Sequence, residues 1–440
     1  MEVSISQKNI YSSVRKGAMA ALSQESQKDK SGFSRLFKSV KIKSSDKEIV
    51  IESGNKNIST KFTLPFSKEK KSEFVVKDSG SVYVPAKELL EWLSNQDGTE
   101  ISLKFVPFKR PEIIKDASEI SDYGGGNSVS IKKVGDLMLS SNDGNKAGSE
   151  WSVECYDSDH LSEIKEGETS NPILKVPFCQ LETAIKSISF AHQKNDYKHI
   201  FDSVSIEKYK NDIYFSASDT HRCCLYKMTF SEGVDDSFFQ ETEMEGGKIS
   251  FGKKLLIPFS IINRFTKDCG GEKTSFYFDD KTSRIYLSSG SFTLRFNSVG
   301  TNSFEKFPSI ALLVSKKYNE LCSVNKKTFS KMIKSASMVN GSSLLFDFKK
   351  EGGGIVKIHA ISNQGKAKNI STAPVFNLSD EVKSVWGVSH LSTFMKVVDD
   401  DEINILVPED LKSVKMVSDL DKNIEYLSMS IRESLYERLK

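Results

Sequence analysis

The sequence predicts an α+β protein built from three copies of one plan, each with two helices backed by antiparallel sheet. Three observations predict it. A segment that starts as a strand and becomes an amphipathic helix occurs three times; a second strand-to-helix segment follows each copy; and strand-like alternation lies between them. At 440 residues the chain has room for about three domains.

The first copy is Ser4-Ile-Ser-Gln-Lys-Asn-Ile-Tyr-Ser-Ser-Val-Arg-Lys-Gly-Ala18, with Ile10, Val14 and Ala18 recurring every four residues. The second is Lys175-Val-Pro-Phe-Cys-Gln-Leu-Glu-Thr-Ala-Ile-Lys-Ser-Ile188, which puts Leu181, Ala184, Ile185 and Ile188 on one face. The third is Ser323-Val-Asn-Lys-Lys-Thr-Phe-Ser-Lys-Met-Ile-Lys-Ser-Ala336, with Phe329, Met332, Ile333 and Ala336 aligned. The following units are Val82 to Leu93, Leu255 to Phe265 and Val385 to Met395. In two of them a proline, Pro85 or Pro258, stands where strand gives way to helix, a place where a missing N–H costs nothing. The first-to-second helix separations, roughly 80, 80 and 60 residues, are too long for a solenoid. Composition places long loops inside domain 1 near 107–128 and 140–150, and linkers at 157–171 and 307–319. The expected domains are therefore 1–170, 171–317 and 318–440, the last with a C-terminal extension.

Apolar residues at 38% and aromatics at 10% are enough to build cores rather than a disordered chain. The net charge of +3 balances 62 basic against 59 acidic residues, so a partner of one sign requires the charges to be segregated by face. The N-terminus lacks a basic n-region and an apolar core, and no apolar run is long enough to span a bilayer. A cytoplasmic protein with no membrane partner is expected. The six cysteines are scattered without C-x-x-C spacing, which reads as reduced thiols.

Catalytic readings are weak. Ser218, Asp219 and His221 suggest a hydrolase, but on a strand neighbours alternate faces, so Ser218 and Thr220 would point away from Asp219 and His221. The runs at Gly124, Gly270 and Gly352 lack the spacing of a phosphate loop and read as hairpin turns. The histidines show no metal-ligand spacing, and no cofactor is expected. The lysines of the repeated helices fit a solvated face and a polyanion-binding face equally well on periodicity alone.

One resemblance spans essentially the whole chain. Phe215-Ser-Ala-Ser-Asp-Thr-His-Arg222 resembles the T-D-G-H-R-L signature of the bacterial DNA polymerase III beta subunit, the beta sliding clamp. Ala191-His-Gln193 and Ile200-Phe201 precede it in the family's order, and Leu256-Ile-Pro258 follows. Phe307-Pro-Ser-Ile-Ala-Leu-Leu313 resembles the F-P-D-x-x-x-L junction, and Tyr426-Leu-Ser-Met-Ser-Ile-Arg432 the terminal Y-V-V-M-P-M-R-L. Thr220 stands for the family's Gly, Cys223 for its Leu, Ser430 for its Pro and Glu433 for its last Leu, which marks a divergent member.

The resemblance implies three clamp domains per chain, two chains closing a six-domain ring as a homodimer, and a processivity factor that is not an enzyme. Its implied partners are double-stranded DNA without sequence specificity, a DNA polymerase and a clamp loader, the last two through short linear motifs. The implied peptide cleft comprises Phe201, Ser218, Thr220, His221, Arg222, Cys223, Pro308, Leu312, Leu313, His390, Leu411, Ser413, Met429, Ile431 and Arg432. The implied DNA-facing residues are Lys8, Arg15, Lys16, Lys186, Gln193, Lys198, Arg264, Lys267, Lys326, Lys327, Lys331 and Lys334, with Lys396 on the sixth helix. Trp151 and Val153, on a strand late in domain 1, and Met338 and Val339, after domain 3's first helix, resemble the family's subunit contact; the alternative for Trp151 is its own domain's core. A clamp-derived scaffold that closes no ring, and a DNA-acting enzyme, are the competing classes.

Overall fold

The computed structural model describes residues 1–23, 34–55, 57–65, 74–96, 100–114, 131–142, 149–157, 171–193, 200–230, 233–239, 242–244, 248–250, 254–298, 307, 309, 313, 316–339, 342–361, 368–420 and 422–429. Six helices carry the repeat: α1 (Gln7–Gly17), α2 (Ala86–Ser94), α3 (Phe178–Ile188), α4 (Phe259–Asp268), α5 (Lys326–Ser337) and α6 (Val388–Val397). Each follows directly on a strand. Two of the junctions are capped by a side chain: Ser6 accepts from Asn9 N at 3.4 Å and Asn325 from Thr328 N at 3.0 Å. Pro85 and Pro258 close their strands one residue before α2 and α4 begin. Gly387 takes that place before α6, where a Cβ would come within 3.2 Å of His390 Nδ1.

The order of elements is the same three times: strand, helix, three strands, strand, helix, three strands. The first repeat adds the helix Ser34–Phe37 and the strand Phe74–Asp78; the second adds the helix Asp236–Phe239 and the small hairpin Thr242–Met244 with Lys248–Ser250. Every helix buries the stripe that its periodicity marks out. Ile10 and Val14 of α1, Leu181 and Ile188 of α3, and Phe329 and Ile333 of α5 are each at most 1% exposed.

Contacts divide the chain into two compact units that cut through the second repeat: Met1–Phe178 with Lys267–Asn297, and Cys179–Thr266 with Ser298–Lys440. The first unit holds a 13-stranded antiparallel sheet. Within it Ile58–Pro65 of the first repeat pairs with Phe292–Asn297 of the second, Thr60 opposite Leu294. The second unit holds an eight-stranded and a four-stranded sheet. Its eight-stranded sheet pairs Arg222–Thr229 of the second repeat with Ile424–Met429 of the third, Cys223 opposite Leu427. The two joints are equivalent: the fourth main strand of one repeat meets the last strand of the next.

The loops expected at 107–128 and 140–150 are partly strand. Glu100–Ile114 pairs with Ile131–Asn142, and Glu150 belongs to the strand Glu150–Asp157. The register shifts between Pro107 and Glu112, so the two prolines of that stretch, Pro107 and Pro111, stand at an irregularity where missing N–H groups are tolerated. Residues 115–128 lie outside the described residues.

Candidate partner cleft and nucleic-acid interface

The signature segment is a hairpin turn. Asp212–Ser218 and Arg222–Thr229 are paired strands, and Asp219, Thr220 and His221 connect them, not a continuous strand with alternating faces. The side chains dictate this. Asp219 Oδ1 accepts from His221 N (3.1 Å) and Arg222 N (3.0 Å), the self-bonding that makes aspartate a turn former, while its Oδ2 accepts from Arg222 Nε at 2.8 Å. Ser218 Oγ donates to the Arg222 carbonyl (2.8 Å) and accepts from Thr220 N (3.3 Å). Hydroxyl and carboxylate are thus both committed to the turn, and no nucleophile–base–orienter line forms. Ser218 is buried, and its hydroxyl holds the turn. Thr220 has φ +76°, the left-handed region that suits the glycine of the resembling signature.

Strand pairing then gathers residues distant in sequence. Met429 N donates to the His221 carbonyl at 2.8 Å, Arg222 lies opposite Ser428, and Ser413 lies opposite Met429. Cys223 and Leu427 bury themselves with Tyr214 and Leu225, and Leu313 and Tyr318 pack on the outside of that cluster. Burial drives the Cys223 thiol well above its ordinary pKa, so it behaves as a small apolar group. Met429 (52%) and Leu411 (37%) remain exposed large apolar side chains, and Leu411 is held at φ +51°. His390 stacks beside His221 with ring centroids 6.4 Å apart. Burial, and then the Arg222 guanidinium, hold the His390 imidazole below its usual range.

Not every expected residue joins this group. Phe201 packs with Ile200, Leu256 and Phe307 in a separate cluster and stacks on Phe307 at 6.1 Å. Pro308, Leu312, Ile431 and Arg432 lie outside the described residues. Sequence reasoning missed Tyr318, whose hydroxyl is 3.5 Å from Ser413 Oγ, and Phe190, which lies beneath Arg222 at 5.9 Å. Leu225 and Leu427 could have been found by two-residue spacing along their strands.

The cationic residues fall into two sets. Lys8, Lys186, Lys267, Lys327, Lys331, Lys334 and Lys396 are exposed on their helices. Others are turned to internal work. Arg15 Nη2 donates to Asp268 Oδ1 at 2.6 Å, Lys16 lies 5.0 Å over the Phe62 ring, and Lys326 Nζ donates to the Val398 carbonyl. Each of these three has an acid, a ring face or a carbonyl in reach. Arg264 and Gln193 are half-buried, and Lys198 lies outside the described residues.

The residues expected at a subunit contact divide between core and surface. Val153 is 6% exposed and opposite buried Leu137, and Trp151 stacks on Trp92 at 6.1 Å and 16°. Both face their own core, as the alternation with exposed Ser152 and Glu154 requires. The open part of this strand is its backbone edge: among the described residues its second side pairs only at Tyr156, opposite Tyr83. Met338 is 80% exposed at the end of α5, and Val339 is partly so.

Among the described residues no group of three or more His, Cys, Asp or Glu could hold a metal ion, and no helix is long and apolar enough to cross a membrane.

Three tandem strand–helix repeats, joined fourth strand to last strand, define the fold of a DNA sliding clamp. In particular it is the fold of the bacterial DNA polymerase III beta subunits. The sliding clamp (subunit beta) of Pseudomonas aeruginosa superposes with TM-score 0.73 at 12% identity, covering 98% of this chain and 99% of that one. The beta subunit from Streptococcus pyogenes gives 0.73 at 15% identity over 98% and 100%. The DNA polymerase sliding clamp of Bacillus subtilis gives 0.72 at 15% identity over 98% and 99%. No protein-family model and no curated protein matches the sequence.

Proposed function

We propose that this chain is a DNA sliding clamp: two copies close head to tail into a ring of six repeats that encircles duplex DNA, tethers a DNA polymerase and performs no catalysis. One observation carries the proposal. Each joint consumes a fourth strand and a last strand, Ile58–Pro65 with Phe292–Asn297 and Arg222–Thr229 with Ile424–Met429. The two strands of those kinds left over are Lys368–Pro374 of the third repeat, the edge of its four-stranded sheet, and Glu150–Asp157 of the first. A second copy, turned by a twofold axis, supplies the missing partner to each. An unpaired edge is otherwise a liability that a monomer would blunt. Exposed Ile370 on the first of these strands and Met338 after α5 add apolar surface, each able to contribute about 1.5–3 kcal/mol if fully covered.

Retention on DNA then follows from topology, and the contacts need only be loose, to phosphate and without base reading. Flexible, hydrated lysine suits that task. The domains are 1–170, 171–317 and 318–440. His221, Cys223, Leu313, Leu411 and Met429 form part of a cleft for short partner motifs carrying glutamine and bulky apolar side chains, through which polymerase and clamp loader would exchange in the cytoplasm. A few such side chains, less ordering costs, give roughly micromolar binding.

Sedimentation equilibrium should report a dimer, and the loaded protein should stay on circular DNA and leave when the circle is cut. A monomer at micromolar concentration that still binds partner peptides would mean a scaffold instead of a ring. Equal retention on linear and circular DNA would also overturn the proposal.

A further inference from the structure

The first helix of each repeat offers the same three positions to solvent. At 100° per residue, Lys327, Lys331 and Lys334 of α5 fall within an arc of about 60°, opposite buried Phe329, Met332, Ile333 and Ala336. Aligning the buried residues of α1 (Ile10, Ser13, Val14, Gly17) places Lys8, Ser12 and Arg15 at those positions. Aligning Leu181, Ala184, Ile185 and Ile188 of α3 places Cys179, Thr183 and Lys186 there.

The cations of the first two repeats are tempered. Arg15 is tied to Asp268, and Lys186 follows Glu182 by four residues, the favourable order for a helical ion pair. Helix α2 adds Glu88 and Glu91 to the first repeat. Helix α5 contains no acidic residue, and Lys327, Lys331 and Lys334 among its four lysines sit at like-charge spacings of four and three. Such spacings destabilise an isolated helix by about 0.2–0.5 kcal/mol per pair. None of the three is in an ion pair among the described residues, and α6 of the same repeat adds exposed Lys396. An ordinary solvated face mixes its charges; this one holds one sign at a cost in helix stability.

We infer that the grip on duplex DNA is unequal around the ring, with α5 of the third repeat supplying the largest single share of the phosphate contacts and the first helices of the other two repeats about one each. The inference rests on the sliding-clamp reading. Its test is the salt dependence of binding to a short labelled duplex by the full-length protein, read as the slope of log affinity against log salt. Replacing Lys327, Lys331 and Lys334 together with alanine should reduce the slope by about 2.7 per chain, at 0.9 per phosphate contact, whereas Lys8→Ala or Lys186→Ala should each reduce it by at most about 0.9. Thr183→Lys, which brings the second repeat toward the third, should raise it. Circular dichroism melts identify any variant whose fold has suffered, and Lys→Gln replacements at the same positions then take its place. A slope unmoved by the triple replacement, or moved as far by Lys8→Ala with Lys186→Ala, overturns the inequality. Retention of the wild-type protein on circles is scored separately, so a failed ring and an evenly distributed grip give different results.

Discussion

The two joints between repeats are built alike and finished differently. In the first, Asn55 Oδ1 accepts from Asn57 N and Ile58 N, both at 2.9 Å; in the second, Asp219 Oδ1 accepts from His221 N and Arg222 N. Asn297 N donates to the Asn57 carbonyl at 2.9 Å, as Met429 N does to that of His221. The side chains then diverge. At the first joint Asn297 Nδ2 donates to Asn57 Oδ1 at 3.1 Å, and buried Arg295 donates to Ser59 Oγ at 3.0 Å. At the second the matching residues are Met429 with His221, and Leu427 with Cys223. One backbone device therefore serves as a polar seam in one place and as an apolar, partly exposed surface in the other. In the proposed clamp, binding capacity would reside in the side chains set on the joint, not in the joint itself.

The strongest way to break that comparison is to exchange chemistry across it. Leu427→Arg should place an unpaired charge in the Cys223 cluster and cost about 3–5 kcal/mol of stability in denaturant unfolding. Adding Cys223→Ser, which rebuilds the Arg295–Ser59 pairing, should recover part of the loss, with a coupling of about 0.5–3 kcal/mol. Strict additivity of the two changes would show that the joints are not interchangeable.

A subtler exchange concerns the rim. His221→Asn with Met429→Asn copies the amide pair of the first joint. It should lower affinity for a glutamine-containing apolar peptide by about tenfold or more, since burial of a methionine is worth about 1.5–3 kcal/mol, and leave the melting temperature nearly unchanged. Undiminished binding in calorimetry would move the cleft elsewhere.

The second joint should also be more sensitive to acid. Burial and Arg222 lower the His390 pKa from 6.5, so the unfolded chain takes up this proton more readily than the folded one. The stability contributed is complete above pH 6.5 and is lost as pH falls through the lowered folded value. His359 is shifted the same way, also chiefly by burial, so His390→Gln should flatten only part of the decline in stability between about pH 7 and 5. A pH profile identical to wild type would remove His390 from the account.

Much of this was legible in the sequence because helix periodicity and burial obey the same geometry: Ile10, Leu181 and Phe329 mark their helices and sit in their cores. The order of motifs marked the signature segment of the second joint by resemblance to the clamp family, not by periodicity. Side-chain engagement was less legible. Nothing local to Arg15 announces Asp268, 253 residues away, and nothing near Trp151 announces Trp92. Strand alternation gave the right period for Val153 but not which face meets the core, and it misread Thr220 and His221 because Asp219's bonding to its own backbone outweighs the β-propensity around it.

That turn supplies the smallest expected effect. Thr220 is β-branched and sits at φ +76°, where its Cβ crowds the backbone; a non-glycine residue there costs on the order of 1–3 kcal/mol. Glycine removes that strain but gives the unfolded chain more freedom, which returns about 0.4–1 kcal/mol of the gain. Thr220→Gly should therefore stabilise the protein by about 1 kcal/mol, seen as a higher denaturant midpoint with an unchanged m-value. Because Thr220 N already donates to Ser218 Oγ, the turn keeps its hydrogen bonds in the variant. If stability falls instead, the threonine side chain makes a compensating contact at the turn, and peptide affinity measured on the same variant would say whether that contact belongs to the cleft.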